Sequence, residues 1–507
     1  FCLLKLLAHL FIIHPAYDLH RDEYLHLDQA NHLAWGYISV PPLSSWLALL
    51  IKPLGQNDAL VHLLPALVGM FTLVLVWKMV EAIGGNRTAC ILSASAILFS
   101  MLLRINMLFQ PNSVDILAWT AVYYCFIKYV TVQKKEWLYA AAVCFAVGFL
   151  NKYNIVFLLF GLFTALLLTP QRRLYVNKHF WLAMLLSLLL ISPNLYWQYL
   201  NGFPVFVHMR ELKERQLVHV KSSQFLLEQV LLFLGGFYLI IAGFTAPLVR
   251  RQFAAFRFVP LSFIITLSTF LLLHAKGYYA LGLYPVLIAM GAVWLSKGIE
   301  EKQNGKWITP ALVLLNIVLF APPFLAVFPV THPQQAAAHS ERFRAFGTLT
   351  WEDGKEHNLP QDFADMLGWR ELAQKVDGLY DRIADKKSLL VLCNNYGQAG
   401  AINYYSKHKG INAVSFNADY LHWFPTSHQI KTIIRVMEQG EPPVDLGREH
   451  LFQNIVVYDS IVNPLARENG TKIYLLDGAG KAVTPILHVE LMQQQRRWRA
   501  GSGMVVE

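Results

Sequence analysis

Two adjacent carboxylates in a chain otherwise rich in apolar residues carry the first chemical signal. Arg21-Asp22-Glu23-Tyr24 follows the first hydrophobic segment, and Gly36-Tyr37 and Pro41-Pro42-Leu43 come after it. Acids beside a membrane face are costly unless they pair, bind an ion or do chemistry. A carboxylate at a dry interface can serve as general base for an acceptor hydroxyl, with its pKa raised toward that task. The competing reading of Asp22 and Glu23 is a solvated loop acid paired to Arg21. A further acid, Asp115, closes the run Gln110-Pro111-Asn112-Ser113-Val114-Asp115 at the start of an apolar segment. It reads either as a second acid of the same cavity or as a first-turn residue favoured by the helix dipole behind an Asn112 or Ser113 cap.

Cations complete the set. Lys152 stands between the apolar runs 140–150 and 155–168, and Lys276 between 263–273 and 281–292. A lysine so placed either snorkels to lipid headgroups or binds a phosphate as a point charge. Gly202-Phe203-Pro204 precedes His208, Arg210, Glu211, Lys213 and Arg215. Arg210 and Arg215 are candidate phosphate contacts. His208 and Glu211 have the spacing of two metal ligands on one helical turn, but two ligands do not make a site. The other reading of this stretch is a charged amphipathic helix, so no cofactor is called and a divalent metal stays open.

These residues need a scaffold, and composition names its class. Of 507 residues, 55% are hydrophobic and 15% charged, with a mean hydropathy of +0.38. Soluble domains carry about 25% charged residues. The apolar excess lies before position 331, in blocks of about 17–25 residues that are long enough to cross a bilayer as helices. Roughly eleven spans are expected, near 1–14, 58–80, 89–103, 112–130, 137–151, 153–169, 179–197, 223–249, 257–275, 278–296 and 307–330. Every second loop is basic, with Arg87, Lys134-Lys135, Arg172-Arg173 and Lys178, Arg250-Arg251 and Arg257, then Lys297, Lys302 and Lys306. The positive-inside rule makes these loops cytoplasmic. The net charge of +10 then belongs to those loops, with no nucleic acid as partner. The other loops face outward with the acids and with Lys152 and Lys276, and an odd span count leaves 331–507 outside as well. Aromatic residues at span ends, Tyr278 and Tyr279 among them, read as an interfacial belt. The five scattered cysteines have no metal or disulfide spacing.

Beyond 331 charges, Gly, Asn and Gln return and no segment could span. Residues 388–393 and 454–458 read as short buried strands, 361–384 as an amphipathic helix, and Gly397 and Gly400 as punctuation of a strand-to-helix turn. The expected organisation is a polytopic α-helical domain over 1–330 and an outward α/β domain over 331–507.

The ordered set of motifs resembles a known group. It comprises Asp22-Glu23, His32-Leu33-Ala34-Trp35-Gly36-Tyr37, Pro41-Pro42-Leu43, Gln110-Pro111-Asn112-Ser113 with Asp115, and Asn151-Lys152-Tyr153. Pro193-Asn194 with Trp197-Gln198, Gly202-Phe203-Pro204, Lys276 with Tyr278-Tyr279 and Pro285, and Asn395-Tyr396-Gly397 with Ala399-Gly400-Ala401 continue it. Over about residues 20 to 425 the chain is similar to bacterial family 39-like glycosyltransferases of the dolichyl-phosphate-mannose protein mannosyltransferase group. That group belongs to the GT-C superfamily, as does the lipid A aminoarabinose transferase. The resemblance implies a GT-C fold in a bacterial plasma membrane, an active site on the outer face, and a polyprenyl-phosphate sugar as donor. It implies transfer, with inversion, to a lipid, glycan or protein acceptor. Carried over by position, Asp22 is the acceptor-activating base with Glu23 beside it, and Asp115 is the second acid. Lys152 and Lys276 hold the carrier phosphate, and Tyr279 lines that site. Where the aminoarabinose transferases place a Glu-Lys pair before the Pro-Pro corner, this chain has Ser39-Val40, which removes a metal ligand and a phosphate contact. A flippase or transporter of lipid-linked sugars is the alternative, although it calls for charge near the bilayer midplane and for paired halves. A membrane anchor with a binding domain is the other, and it has no need of Lys152 or Asp115.

Overall fold

The computed structural model describes residues 1–499 apart from Gln56, Gln216, 302–304, 345 and 426–427. Lys302 and the side chain of Arg215 therefore lie outside the described residues. The chain divides into two compact units, each assembled from separated stretches. One holds Phe1–Ile12, Val61–Tyr196 and Glu211–Phe328, and the other holds Ile13–Leu60, Trp197–Arg210 and the chain from Pro329 onward. A single cut near 331 therefore does not describe the compactness of the chain, because residues 13–60 and 197–210 cluster with the sheet.

The first unit is helical. Among the described residues four helices are long and apolar enough to cross a membrane: Asp58–Ala82, Lys178–Leu200, Gly277–Glu300 and Lys306–Val327. Ile155–Leu167 with Pro170–Val176 would make a fifth, bent by 106°. Other expected spans are shorter apolar helices, such as Arg87–Leu98, Glu136–Asn151 and Phe258–Leu272. The expected span 223–249 is broken into Ser222–Leu231 and Phe237–Val249. Two glycines sit at the break, and a Cβ on Gly235 would lie 2.7 Å from the Asn316 carbonyl oxygen and one on Gly236 2.8 Å from Ala96. Close packing of backbone on backbone takes precedence there over a continuous rod.

Burial separates lipid-facing from interior helices. The apolar window of Lys178–Leu200 is 28% buried, with Leu185, Leu188 and Leu189 exposed, whereas that of Gly277–Glu300 is 83% buried. Exposed leucines in such number suit hydrocarbon rather than water. The interior helix Tyr284–Glu300 packs on Phe237–Val249 through reciprocal glycines. A Cβ on Gly243 would lie 1.8 Å from the Leu287 carbonyl oxygen, and one on Gly291 1.9 Å from that of Leu239. Small residues are what allow membrane helices to approach this closely.

The second unit is built on five strands: β1 Leu389–Cys393, β2 Ala413–Ser415, β3 Thr432–Met437, β4 Asn454–Ser460 and β5 Lys472–Asp477. Their order is β2-β1-β3-β5-β4. β1 runs parallel to β2 and β3, with Val391 opposite Ala413 and Ile434. β5 is antiparallel to β3 and β4. Leu390, Leu392, Ile433 and Leu476 make the core of one face with Val483 of the last helix, Val483–Arg497. The strand expected at 454–458 forms as β4 but is not buried. It is an edge, with Val456 and Val457 about half exposed.

Two other expectations are refined. The helix foreseen over 361–384 is two, Gln361–Ala364 and Trp369–Arg382. Gly368 separates them at φ +87°, a conformation that favours glycine. The Trp369 N–H that this frees donates to Asp18 Oδ2 at 2.9 Å. Gly397 and Gly400 do not punctuate a turn. Both lie inside the helix Tyr396–Tyr405, whose start is capped by the Asn395 side chain. A Cβ on Gly397 would lie 2.7 Å from Arg21 Cγ, and one on Gly400 2.7 Å from Tyr24 Cβ. The glycines let this helix lie directly against the one that carries Asp22.

Candidate active site

The acid pair opens the helix Arg21–Gln29. His20 is its N-cap, and the Asp22 N–H donates to His20 Nδ1 at 3.2 Å. Expected beside Asp22 in the site, Glu23 instead closes the helix end. Its carboxylate accepts the His20 N–H at 2.7 Å, and the residue is 0% exposed. This is a capping box in which both side chains are spent on orphan amides.

Asp22 is the more available acid. Its Oδ1 accepts a hydrogen bond of 2.6 Å from the Tyr396 hydroxyl. The Arg21 guanidinium lies over the Tyr396 ring, 4.6 Å from its centroid. The raised pKa expected for Asp22 is corrected. Burial does push the carboxyl up, but the His20 imidazole, the Tyr396 hydroxyl, Arg21 and His26 together outweigh it and hold the group below its ordinary range. Behind them, buried Asp365 faces His20 Nε2 at 3.9 Å and Arg467 at 3.2 Å. The same unit ties down the loop that follows: the Ile38 N–H donates to Asp419 Oδ1 at 2.7 Å, and Gln29 Nε2 to Asp419 Oδ2 at 2.8 Å. Arg210 is exposed on the helix Pro204–Arg215. His208 stacks on Trp498 with ring centroids 6.5 Å apart. Among the described residues no group of three or more His, Cys, Asp or Glu could hold a metal ion.

The second group of predicted residues belongs to the helical unit. Asp115 is buried in the first turn of the helix Asn112–Val132. The side-chain cap considered for that helix does not form, since its N-cap is Pro111. Ser113 Oγ donates to the Ile105 carbonyl at 3.2 Å, while Asn112 Oδ1 accepts from Lys152 Nζ at 2.8 Å. The carboxylate of Asp115 accepts from Trp119 Nε1 at 2.8 Å and from Asn154 Nδ2 at 3.1 Å. Asn154 Nδ2 also donates to the Tyr279 carbonyl at 3.1 Å.

Lys152 sits in the turn between Glu136–Asn151 and Ile155–Leu167, outside both helices. Asn151 Nδ2 fastens that turn to the Pro111 carbonyl at 2.7 Å, and the Tyr153 hydroxyl fastens it to Asn194 at 3.0 Å. Lys152 Nζ lies 4.5 Å from the Tyr279 ring centroid and 5.2 Å from that of Tyr278. These tyrosines are thus more than an interfacial belt, because their π faces cover a cation. Burial pushes the Lys152 ammonium down, Asp115 pushes it up, and the like charge of Lys276 pushes it down again, for a net lowering. Two ammoniums within electrostatic reach, one carboxylate and two ring faces make a place where a further anion lowers the energy. Sequence motifs around 110, 151, 194 and 279 meet here. Asn154 was missed, although the polar run Asn151-Lys152-Tyr153-Asn154 between two apolar segments was its signal. Tyr396 and Asp365 had no local signal as partners of residues 20–22.

Comparison with known proteins follows the same lines. The sequence model of the dolichyl-phosphate-mannose-protein mannosyltransferase family matches residues 39–197. That segment contains Asp115, Lys152 and Asn154 and begins after Asp22. The crystal structure of ArnT from Cupriavidus metallidurans bound to undecaprenyl phosphate aligns with a TM-score of 0.60 at 14% identity, covering 94% of this chain and 96% of that one. The apo structure of the same protein aligns at 0.61, again at 14% identity, covering 93% and 96%. Among curated protein sequences none matches this chain. The likeness to ArnT is one of fold, and the apolar helices make the chain an integral membrane protein. Nearly the whole chain has the fold of ArnT, and residues 39–197 within it match the mannosyltransferase family model.

Proposed function

We propose that this chain transfers a sugar from a polyprenyl-phosphate carrier to a lipid, glycan or protein acceptor at the outer face of a bacterial plasma membrane. Asp22 is the base, and Lys152 with Lys276 takes the carrier phosphate beside Tyr279. The acceptor oxygen bonds to the anomeric carbon as the bond from that carbon to the phosphate oxygen breaks. The electron pair leaves with the phosphate, the acceptor proton passes to Asp22, and a single displacement inverts the centre. Fixed positive charge at the leaving group stabilises the transition state. ArnT bound to undecaprenyl phosphate supports this carrier class. Asp115 acts from behind, orienting Asn154 and biasing the charge on Lys152. Arg210 is a further phosphate contact, and 331–507 selects the acceptor. Nothing in the comparisons favours the transporter alternative.

The observation that carries this reading is Lys152, which with its partner Asn112 lies inside the segment that the mannosyltransferase family matches and is covered by the faces of Tyr278 and Tyr279 from beyond it. It is tested in membranes with the chain, without it, and with Lys152→Ala, by mass spectrometry of extracted lipids, glycans and envelope proteins. The wild type is expected to add a hexose, pentose or aminosugar increment. Lys152→Ala is expected to slow its appearance about 100-fold or more, the loss typical of one transition-state electrostatic contact. An undiminished increment would remove Lys152 from the phosphate site. No increment in any fraction of a host that makes polyprenyl-phosphate sugars would put the transporter reading first.

A further inference from the structure

We infer that Tyr396 is a positioning residue for Asp22: its hydroxyl, seated by Arg21 and by two glycines of its own helix, orients the carboxylate that takes the acceptor proton. The inference rests on the reading of Asp22 as base and extends the working site to a residue far along the chain, beyond the family-matched segment.

Three observations converge. The first is the 2.6 Å hydrogen bond from the Tyr396 hydroxyl to Asp22 Oδ1, a charge-assisted contact at the short end of its range. The second is the Arg21 guanidinium over the Tyr396 ring, which fixes the ring plane and hence the hydroxyl direction. The third is Gly397 and Gly400, whose missing side chains let the two helices approach closely enough for that bond, against Arg21 and Tyr24. Any larger residue at these glycines would push the phenol away from the acid. The phenol stays a donor, because burial and then Asp22 itself push its pKa far above the ordinary tyrosine value.

A base that must take a proton from a mobile hydroxyl loses rate if its carboxylate rotates. Tyr396 fixes one oxygen. The same bond favours the ionised form, so Asp22 is deprotonated and ready at neutral pH. The groups that face Asp22 are His20, Arg21 and His26 from its own stretch, Tyr396 from the neighbouring helix, and Asp365 behind His20. All but Tyr396 are common to the variants below, so a difference between their pH profiles reads the Tyr396 bond alone.

The test uses the full chain in membranes and the initial rate of the sugar increment as pH is lowered. Asp22 must be ionised to act, so the rate falls as pH drops through its pKa. Tyr396→Phe removes a donor to the ionised form. It is expected to cut the maximal rate about tenfold, as for loss of a hydrogen bond to a charged group. It should also move the acid limb to higher pH. Replacing Tyr396 with 3-fluorotyrosine, a stronger donor of almost the same shape, should move the limb to lower pH, and it serves if the phenylalanine variant does not fold. Tyr405→Phe is the control. It lies on the same helix and loses a 2.8 Å bond to a different carboxylate, Asp58. A merely structural role for Tyr396 would make the two phenylalanine variants alike, with the acid limb unmoved. If Asp22→Asn is inactive and neither change at Tyr396 moves the limb, the positioning role is overturned while the base assignment stands. If Asp22→Asn retains transfer, the base assignment falls and this inference with it.

Discussion

Asp22→Asn is expected to abolish sugar transfer to within about a thousandth of the wild-type rate, with the protein present in membranes at the normal level. The magnitude is that of a lost general base. The separation of chemistry from folding follows from the geometry. Asparagine keeps a carbonyl oxygen where Oδ1 accepts the Tyr396 hydroxyl. It keeps the backbone N–H that meets His20, and it leaves the His20–Glu23 capping box untouched. What it cannot do is accept the acceptor's proton. Glu23 is not positioned to take over, since it is buried and its carboxylate already accepts the His20 amide. Mass spectrometry of the sugar increment, normalised to protein detected by immunoblot, checks this. Transfer within tenfold of wild type would move the base elsewhere in the chain.

Gly243→Ala is expected to lower stability by about 3 kcal/mol, read as a fall in the thermal midpoint of the detergent-solubilised protein. Overpacking of this kind usually costs about 1–3 kcal/mol, and this site belongs at the upper end. The added methyl would meet the Leu287 carbonyl oxygen at 1.8 Å, and that oxygen is backbone inside a buried helix with no rotamer to change. Gly291→Ala should cost a similar amount, because its Cβ meets the Leu239 carbonyl at 1.9 Å from the opposite side of the same contact. The double variant should cost much less than the sum, since one methyl already separates the helices for both. Gly298→Ala, on the same helix with nothing within 4 Å of its Cβ, is the control. It should be neutral or gain up to about 1 kcal/mol from helix propensity. Independent, additive losses at Gly243 and Gly291 would mean that the two glycines do not share one contact.

Elements built from local pattern are legible in the sequence. The strands at 388–393 and 454–458 and the apolar helices follow from runs of like residues, which fold into the same element almost wherever they are placed. Breaks were harder to read. The interruption at 232–236 and the split at Gly368 depend on what lies across from the glycines, namely Asn316 and Ala96 in one case and Ala466 in the other. Pattern also misjudged β4, because alternation reports a strand but not whether a layer covers it.

For the candidate site the division is similar. Residue type and order in the sequence were enough to single out Asp22, Asp115, Lys152 and Lys276, since charge next to apolar runs is expensive and must have a purpose, whereas Tyr279 entered the site only through the family resemblance. Their partners were not readable there. Asn112 reaches Lys152 across 40 residues, Asn154 reaches Tyr279 across 125, and Tyr396 reaches Asp22 across 374. Only the tertiary structure could decide that Glu23 caps a helix while its neighbour Asp22 meets a phenol. Consecutive helical residues point about 100° apart, so the packing of the next helix, and not the order of the letters, sets which acid meets which group.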